Sequence, residues 1–272
     1  MTSIIALPSA SVPLTVDVDH PCSVPEPIGR DVVLVSRDWS RYLQWWDATR
    51  FATPAFWVEL TRQRARPITY QIGKTLLEEV GVCMLGGYGI TERMASAAFH
   101  RVREEGLLTG KPVTEEAVAA VLSAPFQLPG SQRAVHYRFP RSKGRRLAAV
   151  IDTLHRSEPP GTDEPRLLRD WLLTLPGVGP KTASWIVRNM TRTDLVAVID
   201  VHIRRAGIVA GLFDPAWRLP RDYNHFETAF VVWARIGGVP TADLDACIWS
   251  ELAALGPAAR TLFSVKHLSD LD

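Results

Sequence analysis

Past residue 53, apolar positions recur three and four apart along most of the chain, the spacing of helices that bury one face. Thr53-Pro54 opens the first, AFWVELTRQR, as a capping side chain followed by a first-turn proline. Leu76, Leu77, Val80, Cys83 and Met84 form one face of the next; Gly86-Gly87-Tyr88-Gly89 interrupts it, and TERMASAAFHRV resumes the pattern. A helix over Glu115–Ser123 starts at Thr114 as its cap. Leu167, Leu168, Trp171, Leu172 and Leu175 follow Asp163 as cap and Pro165 in the first turn; Ala183, Ile186, Val187 and Met190 form the helix after that. VHIRRAGIV, Phe226–Ile236 and a Thr241-capped helix with Leu244, Cys247, Ile248 and Leu252 inward complete the set. Residues 1 to about 30 are rich in Pro, Ser and Val without a helical period and predict an extended arm, with a short strand at Asp31–Val35. WSRYLQWWDATRF, from Asp38 on, reads as the start of a helical region, and LFDPAWRLPRDYNHF as a loop. The expected fold class is mainly α.

One stretch carries chemistry, LPGVGPKTASWIVRNMTRTDLVAVID from Leu175 to Asp200. Pro176-Gly177 stops one helix, Gly177 and Gly179 are read as relieving the backbone at a tight reversal, and Pro180 starts the next. Two helices joined this way leave free N–H groups at the second helix's start, where DNA phosphates can be gripped. GVGPKT is not a nucleotide-binding P-loop: that loop needs Gly immediately before the Lys and another five positions earlier, where Pro180 and Thr174 stand. Lys181 lies off the apolar face in the first turn, where the positive end of the helix dipole disfavours an ammonium. A partly desolvated lysine is a nucleophile suited to Schiff-base chemistry. Asp200 ends an apolar run and precedes a helix, so it is both an N-cap candidate and a carboxylate that could enter a cleft.

Composition narrows the picture. At 272 residues the chain can bury a full core. A formal charge of +2 requires any nucleic-acid footprint to be local. Cys22, Cys83 and Cys247 have neither disulfide-framework nor metal-ligand spacing, which fits a reducing compartment. With no long apolar run and no basic leader segment, the expectation is a soluble, cytoplasmic (nucleoid-associated) protein, a monomer without membrane contact. The local footprint has a candidate: Arg133, Arg138, Arg141, Lys143, Arg145 and Arg146 crowd together without an acidic residue, interleaved with His136, Tyr137 and Phe139. Charge runs are usually solvated faces. This one precedes the hairpin, so DNA contact is expected of it, with Arg188, Arg192, Arg204 and Arg205 adding charge nearby.

LPGVGPKTA followed by VIDVH resembles the helix-hairpin-helix DNA glycosylases (the HhH-GPD superfamily), and the wording around Asp200 is most similar to their 8-oxoguanine glycosylase/lyase branch. The core match runs from Leu175 to about Arg205, with a looser one from about Leu76 to Leu255. The resemblance implies a two-lobed helical fold: an arm over 1–35, a hairpin lobe from 36–69 and 161–265, a helical-barrel lobe over 70–160 carrying a wedge loop, and a tail over 266–272. It implies Lys181 and Asp200 as catalytic residues and Gly177 and Gly179 as the phosphate-gripping turn. No cofactor is implied beyond a monovalent cation that the hairpin carbonyls of Leu175 and Val178 could hold. Tyr88 stands where these enzymes carry the wedge that fills the hole left by a flipped base; a surface tyrosine in a glycine-rich connection is the plain alternative. Asp245 and Trp249, at i and i+4, stand where archaeal members bring an acidic and an aromatic residue to the base pocket, against a half-buried Trp beside a solvent-facing Asp. The iron–sulfur cluster of the endonuclease III-like branch needs four cysteines, and only Cys247 follows Asp200. The implied activity is removal of 8-oxoguanine from duplex DNA with strand cleavage through a lysine Schiff base. Another modified base, a non-catalytic DNA-binding module, or a helical protein with a chance motif remain as rivals.

Overall fold

A computed structural model describes residues 13–19, 29–65, 69–87, 89–128, 130 and 133–263. Eleven helices and three short strands occur among them, and the chain divides into two compact units.

The first unit takes in the described residues up to Arg64, Val201–Trp217 and those from Asn224 on. It holds a small sheet of order β1-β2-β3, with β1 (Leu14–Asp17) parallel to β2 (Val32–Val35) and β3 (Ser40–Leu43) antiparallel to it. The strand expected at Asp31–Val35 is present, but the helix expected from Asp38 is replaced by β3 and a turn-rich segment. Asp31 is one cause: its carboxylate accepts from the Tyr42 hydroxyl and from the Trp45 N–H at 2.7 Å, holding this stretch beside β2. Five helices complete the unit: α1 (Pro54–Gln63), α8 (Val201–Val209), α9 (Tyr223–Gly237, whose first residue counts with the other unit), α10 (Thr241–Leu255) and α11 (Pro257–Leu262). Trp57, Trp233, Phe213, Phe226, Phe230 and Phe263 fill its core. Aromatic side chains here are thus mainly interior.

The second unit, Ala65–Asp200 with Arg218–Tyr223, contains α2 (Leu76–Leu85), α3 (Glu92–Glu104), α4 (Glu115–Ser123), α5 (Pro140–Arg156), α6 (Pro165–Leu172) and α7 (Pro180–Thr191). Val80, Phe99, Leu122, Ile151, Leu168, Ile186 and Val187 form one continuous core. The hairpin helices α6 and α7 group with α2–α5, and α7 packs on α2. The expected tail, 266–272, lies outside the described residues.

Helix starts follow the capping side chains in four cases. Thr53, Thr75, Thr91 and Thr114 each accept the N–H three residues on, from Phe56, Glu78, Met94 and Ala117. Two expected caps differ. Glu164, not Asp163, occupies the N-cap of α6, and Pro240, not Thr241, that of α10, where Thr241 is already helical and buried. Neither start has a side-chain capping bond; Pro165 is the first residue of α6, whereas Pro240 is the N-cap of α10. The basic run also continues into the 17-residue helix α5, which charge alone did not reveal. No helix among the described residues is long and apolar enough to cross a membrane.

Candidate active site

Between α6 and α7 the chain reverses through a turn closed by the Val178 N–H donating to the Leu175 carbonyl at 3.1 Å. Of the two turn glycines only Gly177 needs to be one, with φ at +83°. Gly179 is extended (φ −96°, ψ 177°), contrary to expectation, and is the N-cap of α7 with no capping side chain. A Cβ built on Gly179 meets nothing within 4 Å, so the residue leaves an open approach to the first turn of α7. Pro180 has no N–H to satisfy, and the amides of Lys181 and Thr182 lie where a helix has no internal acceptors. Over Gly177 runs the stem of Arg146 from α5, which brings one guanidinium of the basic run to the turn.

Lys181 leads from this helix start to a carboxylate. Its Nζ is 3.9 Å from Asp200 Oδ2; the lysine side chain is 39 % exposed and the aspartate 9 %. Asp200 directly precedes α8, as an N-cap would. Its approach is held by Tyr223, whose buried hydroxyl donates to the Ala197 carbonyl at 2.8 Å and accepts the Ile199 N–H at 3.2 Å. Trp185, one turn beyond Lys181, puts its ring 5.7 Å from the ammonium, within cation–π range. Neither Tyr223 nor Trp185 was singled out from the sequence. For Trp185 the signal was present, since i and i+4 share a helix face; for Tyr223 there was none.

Behind the lysine, α7 is tied to α2 through a buried carboxylate. Glu79 accepts from Asn189 Nδ2 at 2.5 Å and from the Ile72 and Gly73 N–H groups at 2.9 and 2.7 Å. A buried carboxylate is tolerated when it is satisfied in this way. Arg188 donates to Asn189 Oδ1 and lies with Arg192 over the Tyr70 ring, at 4.8 and 5.5 Å. The Cys83 thiol packs next to Glu79, and its burial pushes its pKa well up, with the neighbouring carboxylate acting in the same direction.

The basic run divides by direction. Arg138, Arg141, Arg145 and Arg146 are exposed, with the Arg138 guanidinium against Gly89 and near the Phe139 ring. Lys143, grouped with them in the sequence, turns inward. Its ammonium donates to the carbonyls of Met84 and, at 2.9 Å, Gly86 at the end of α2. Burial and the nearby Arg146 lower its pKa from the ordinary lysine value. Arg204 and Arg205, expected to add surface charge, are buried; Arg204 donates to the Trp217 carbonyl. Tyr88 lies outside the described residues.

Asp245 and Trp249 belong to the first unit, both on α10. Asp245 is buried at 1 % exposure rather than solvent-facing, and Trp249 is 39 % exposed. Among the described residues no group of three or more His, Cys, Asp or Glu side chains is arranged to hold a metal.

No family model matches the sequence. Among solved structures, the crystal structure of 8-oxoguanine DNA glycosylase from Methanocaldococcus jannaschii is similar over 73 % of this chain and 83 % of its own, at 18 % identity and a TM-score of 0.52. A second structure from that organism, 8-oxoguanine glycosylase/lyase in complex with a 15-mer DNA containing 8-oxoguanine, gives 0.49 at 17 % identity over 74 % and 89 % of the two chains. The chain thus shares the mainly helical fold of the first of these glycosylases.

Proposed function

We propose that the protein is a base-excision DNA glycosylase with β-lyase activity, acting on duplex DNA that contains a damaged base, and that 8-oxoguanine is that base. The observation that carries the reading is the Lys181–Asp200 pair, an amine and a carboxylate 3.9 Å apart at the start of an uncapped helix. A backbone clamp alone has no use for a carboxylate beside the phosphate it holds. In the proposed reaction the hairpin turn, through Gly177, Gly179 and the α7 amides, grips the phosphates. Arg138, Arg141, Arg145 and Arg146 extend the contact along α5. The glycine loop around Tyr88 fills the space vacated by the flipped base, and Asp245 and Trp249 serve that base.

Lys181 Nζ, after giving a proton to Asp200, attacks the sugar C1′; the N–C1′ bond forms as the bond to the base breaks. Asp200 passes that proton on to the departing base and, ionised again, stabilises the positive charge on the sugar and the attached amine. Opening of the sugar ring leaves an iminium on Lys181. Loss of a C2′ proton then expels the 3′ phosphate, and the strand is nicked. The choice of 8-oxoguanine is supported by the VIDVH wording and by the activity of the similar solved enzyme.

The test is base release and strand cleavage on duplexes carrying 8-oxoguanine or other modified bases, with wild type, Lys181→Gln and Asp200→Asn. The reading predicts nicking by wild type on the 8-oxoguanine duplex and loss of both steps in Lys181→Gln. Nicking of a different lesion would keep the chemistry and replace the substrate. Tight, salt-sensitive DNA binding with no cleavage of any duplex would identify a DNA-binding module.

A further inference from the structure

The end of α2 is held from a direction its own helix does not supply. Three successive carbonyls there, those of Met84, Leu85 and Gly86, all accept side-chain donors from residues 137–143. Lys143 reaches the first and third. Tyr137, only 3 % exposed, donates its hydroxyl to the second at 2.6 Å. A helix C-terminus leaves its last carbonyls without partners and favours a cation, so both donors meet an existing need. The glycine loop leaves directly from the clamped carbonyls, with φ at +106° for Gly87 and +73° for Gly89, angles that favour glycine. Arg138, from the same clamping segment, lies against Gly89. On its other side Gly86 abuts Trp185: a Cβ built there would sit 3.4 Å from the ring, whose centroid is 5.7 Å from Lys181 Nζ.

We infer that Lys143 and Tyr137 are positioning residues: they set the take-off of the glycine loop from α2. Lys143 therefore serves the reaction without touching DNA, although it sits in the basic run between arginines that do. Its stem and ammonium are committed inward, and a phosphate would have to compete with two carbonyls for it. The same clamp couples the basic face of α5 to the loop, because Arg141, Arg145 and Arg146 lie on the helix that carries Lys143. Seating α5 on a DNA backbone would then seat the loop as well. The catalytic part of this inference rests on the proposed glycosylase activity; the mechanical part does not.

The experiment uses the full chain with Lys143→Met, Lys143→Arg and Tyr137→Phe. Hydrogen exchange is followed at the amides of 85–90, alongside single-turnover excision from an 8-oxoguanine duplex, borohydride trapping on a preformed abasic site and the salt slope of DNA binding. Lys143→Met is expected to raise exchange at these amides at least tenfold and to slow excision at least tenfold. Trapping at the abasic site, where no base has to be displaced, should change by less than twofold, and the salt slope should stay as in wild type. Tyr137→Phe should loosen the same amides with the charge intact, and Lys143→Arg should restore part of the protection. Unchanged exchange in both Lys143→Met and Tyr137→Phe overturns the clamp. A salt slope reduced by about 0.9 in Lys143→Met overturns it in favour of a phosphate contact. If wild type excises no base at all, the functional proposal fails, and the exchange measurement still decides whether the clamp exists.

Discussion

Gly177→Ala and Gly179→Ala separate backbone strain from access to the helix start. Gly177 sits at φ +83°, where an L side chain costs about 1–2 kcal/mol. The new Cβ would also meet Arg146 Cδ at 2.5 Å. That atom belongs to an exposed, flexible stem and can move, so the backbone term sets the expected loss. At Gly179 the backbone is ordinary and extended, and the Cβ enters open space. Alanine is a poorer N-cap than glycine, but it also restricts the unfolded chain by roughly 0.4–1 kcal/mol, so the net change should stay within about 0.5 kcal/mol. The order reverses for DNA. A methyl group at Gly179 occupies the approach to the first-turn amides, and losing one charge-assisted N–H contact to phosphate removes about 1.5–3 kcal/mol, or roughly ten- to a hundredfold in Kd. Urea unfolding followed by circular dichroism gives the first pair of numbers; fluorescence anisotropy on a duplex with a stable abasic-site analogue gives the second. Equal destabilisation by the two substitutions, or full affinity in Gly179→Ala, refutes the argument.

Three further outcomes are expected from other parts of the second unit. The unfolded Cys83 thiol ionises above about pH 8.5 while the buried one stays protonated, so the folded state holds more protons there and stability falls as pH rises. The slope is up to about 1.4 kcal/mol per pH unit for one thiol; urea unfolding between pH 8.5 and 10 should show that share removed by Cys83→Ala, and an unchanged slope contradicts the burial argument. Glu79→Ala strands the Ile72 and Gly73 N–H groups and the Asn189 amide, and should cost about 3 kcal/mol or more by chemical denaturation. A loss under about 1 kcal/mol would mean that the network ties nothing down. Arg141→Gln and Arg145→Gln should each lower the slope of log affinity against log salt by about 0.9; wild-type slopes in both would place the DNA elsewhere.

Much of the second unit was legible because its signals are local. Periodicity located α2 and α3, the Thr114 cap located α4, and the glycine turn before Pro180-Lys181 located the hairpin. β3 escaped because aromatic residues spaced as in WSRYLQWW suit either a helix or a strand, and the deciding contact, Asp31 with Tyr42 and Trp45, joins residues over ten positions apart. The inward turn of Lys143 was hidden for a related reason. Within a run of six basic residues, nothing local distinguishes the one whose helical position aims it at the end of α2. The grouping of α6 and α7 with α2–α5 could not be read, because periodicity reports which residues face inward but not which helix they face. Of the candidate site, Lys181 and Asp200 were readable from the motif, whereas Tyr223, which fixes the approach to Asp200 from more than twenty residues away, depends on tertiary contact alone.

The most direct test of the central claim is borohydride reduction of the protein mixed with an 8-oxoguanine duplex, followed by mass mapping of the cross-linked peptide. The account predicts a covalent adduct on Lys181 that is absent in Lys181→Gln and strongly reduced in Asp200→Asn. An adduct on a different residue, or no adduct on either the 8-oxoguanine or an abasic duplex, would contradict it.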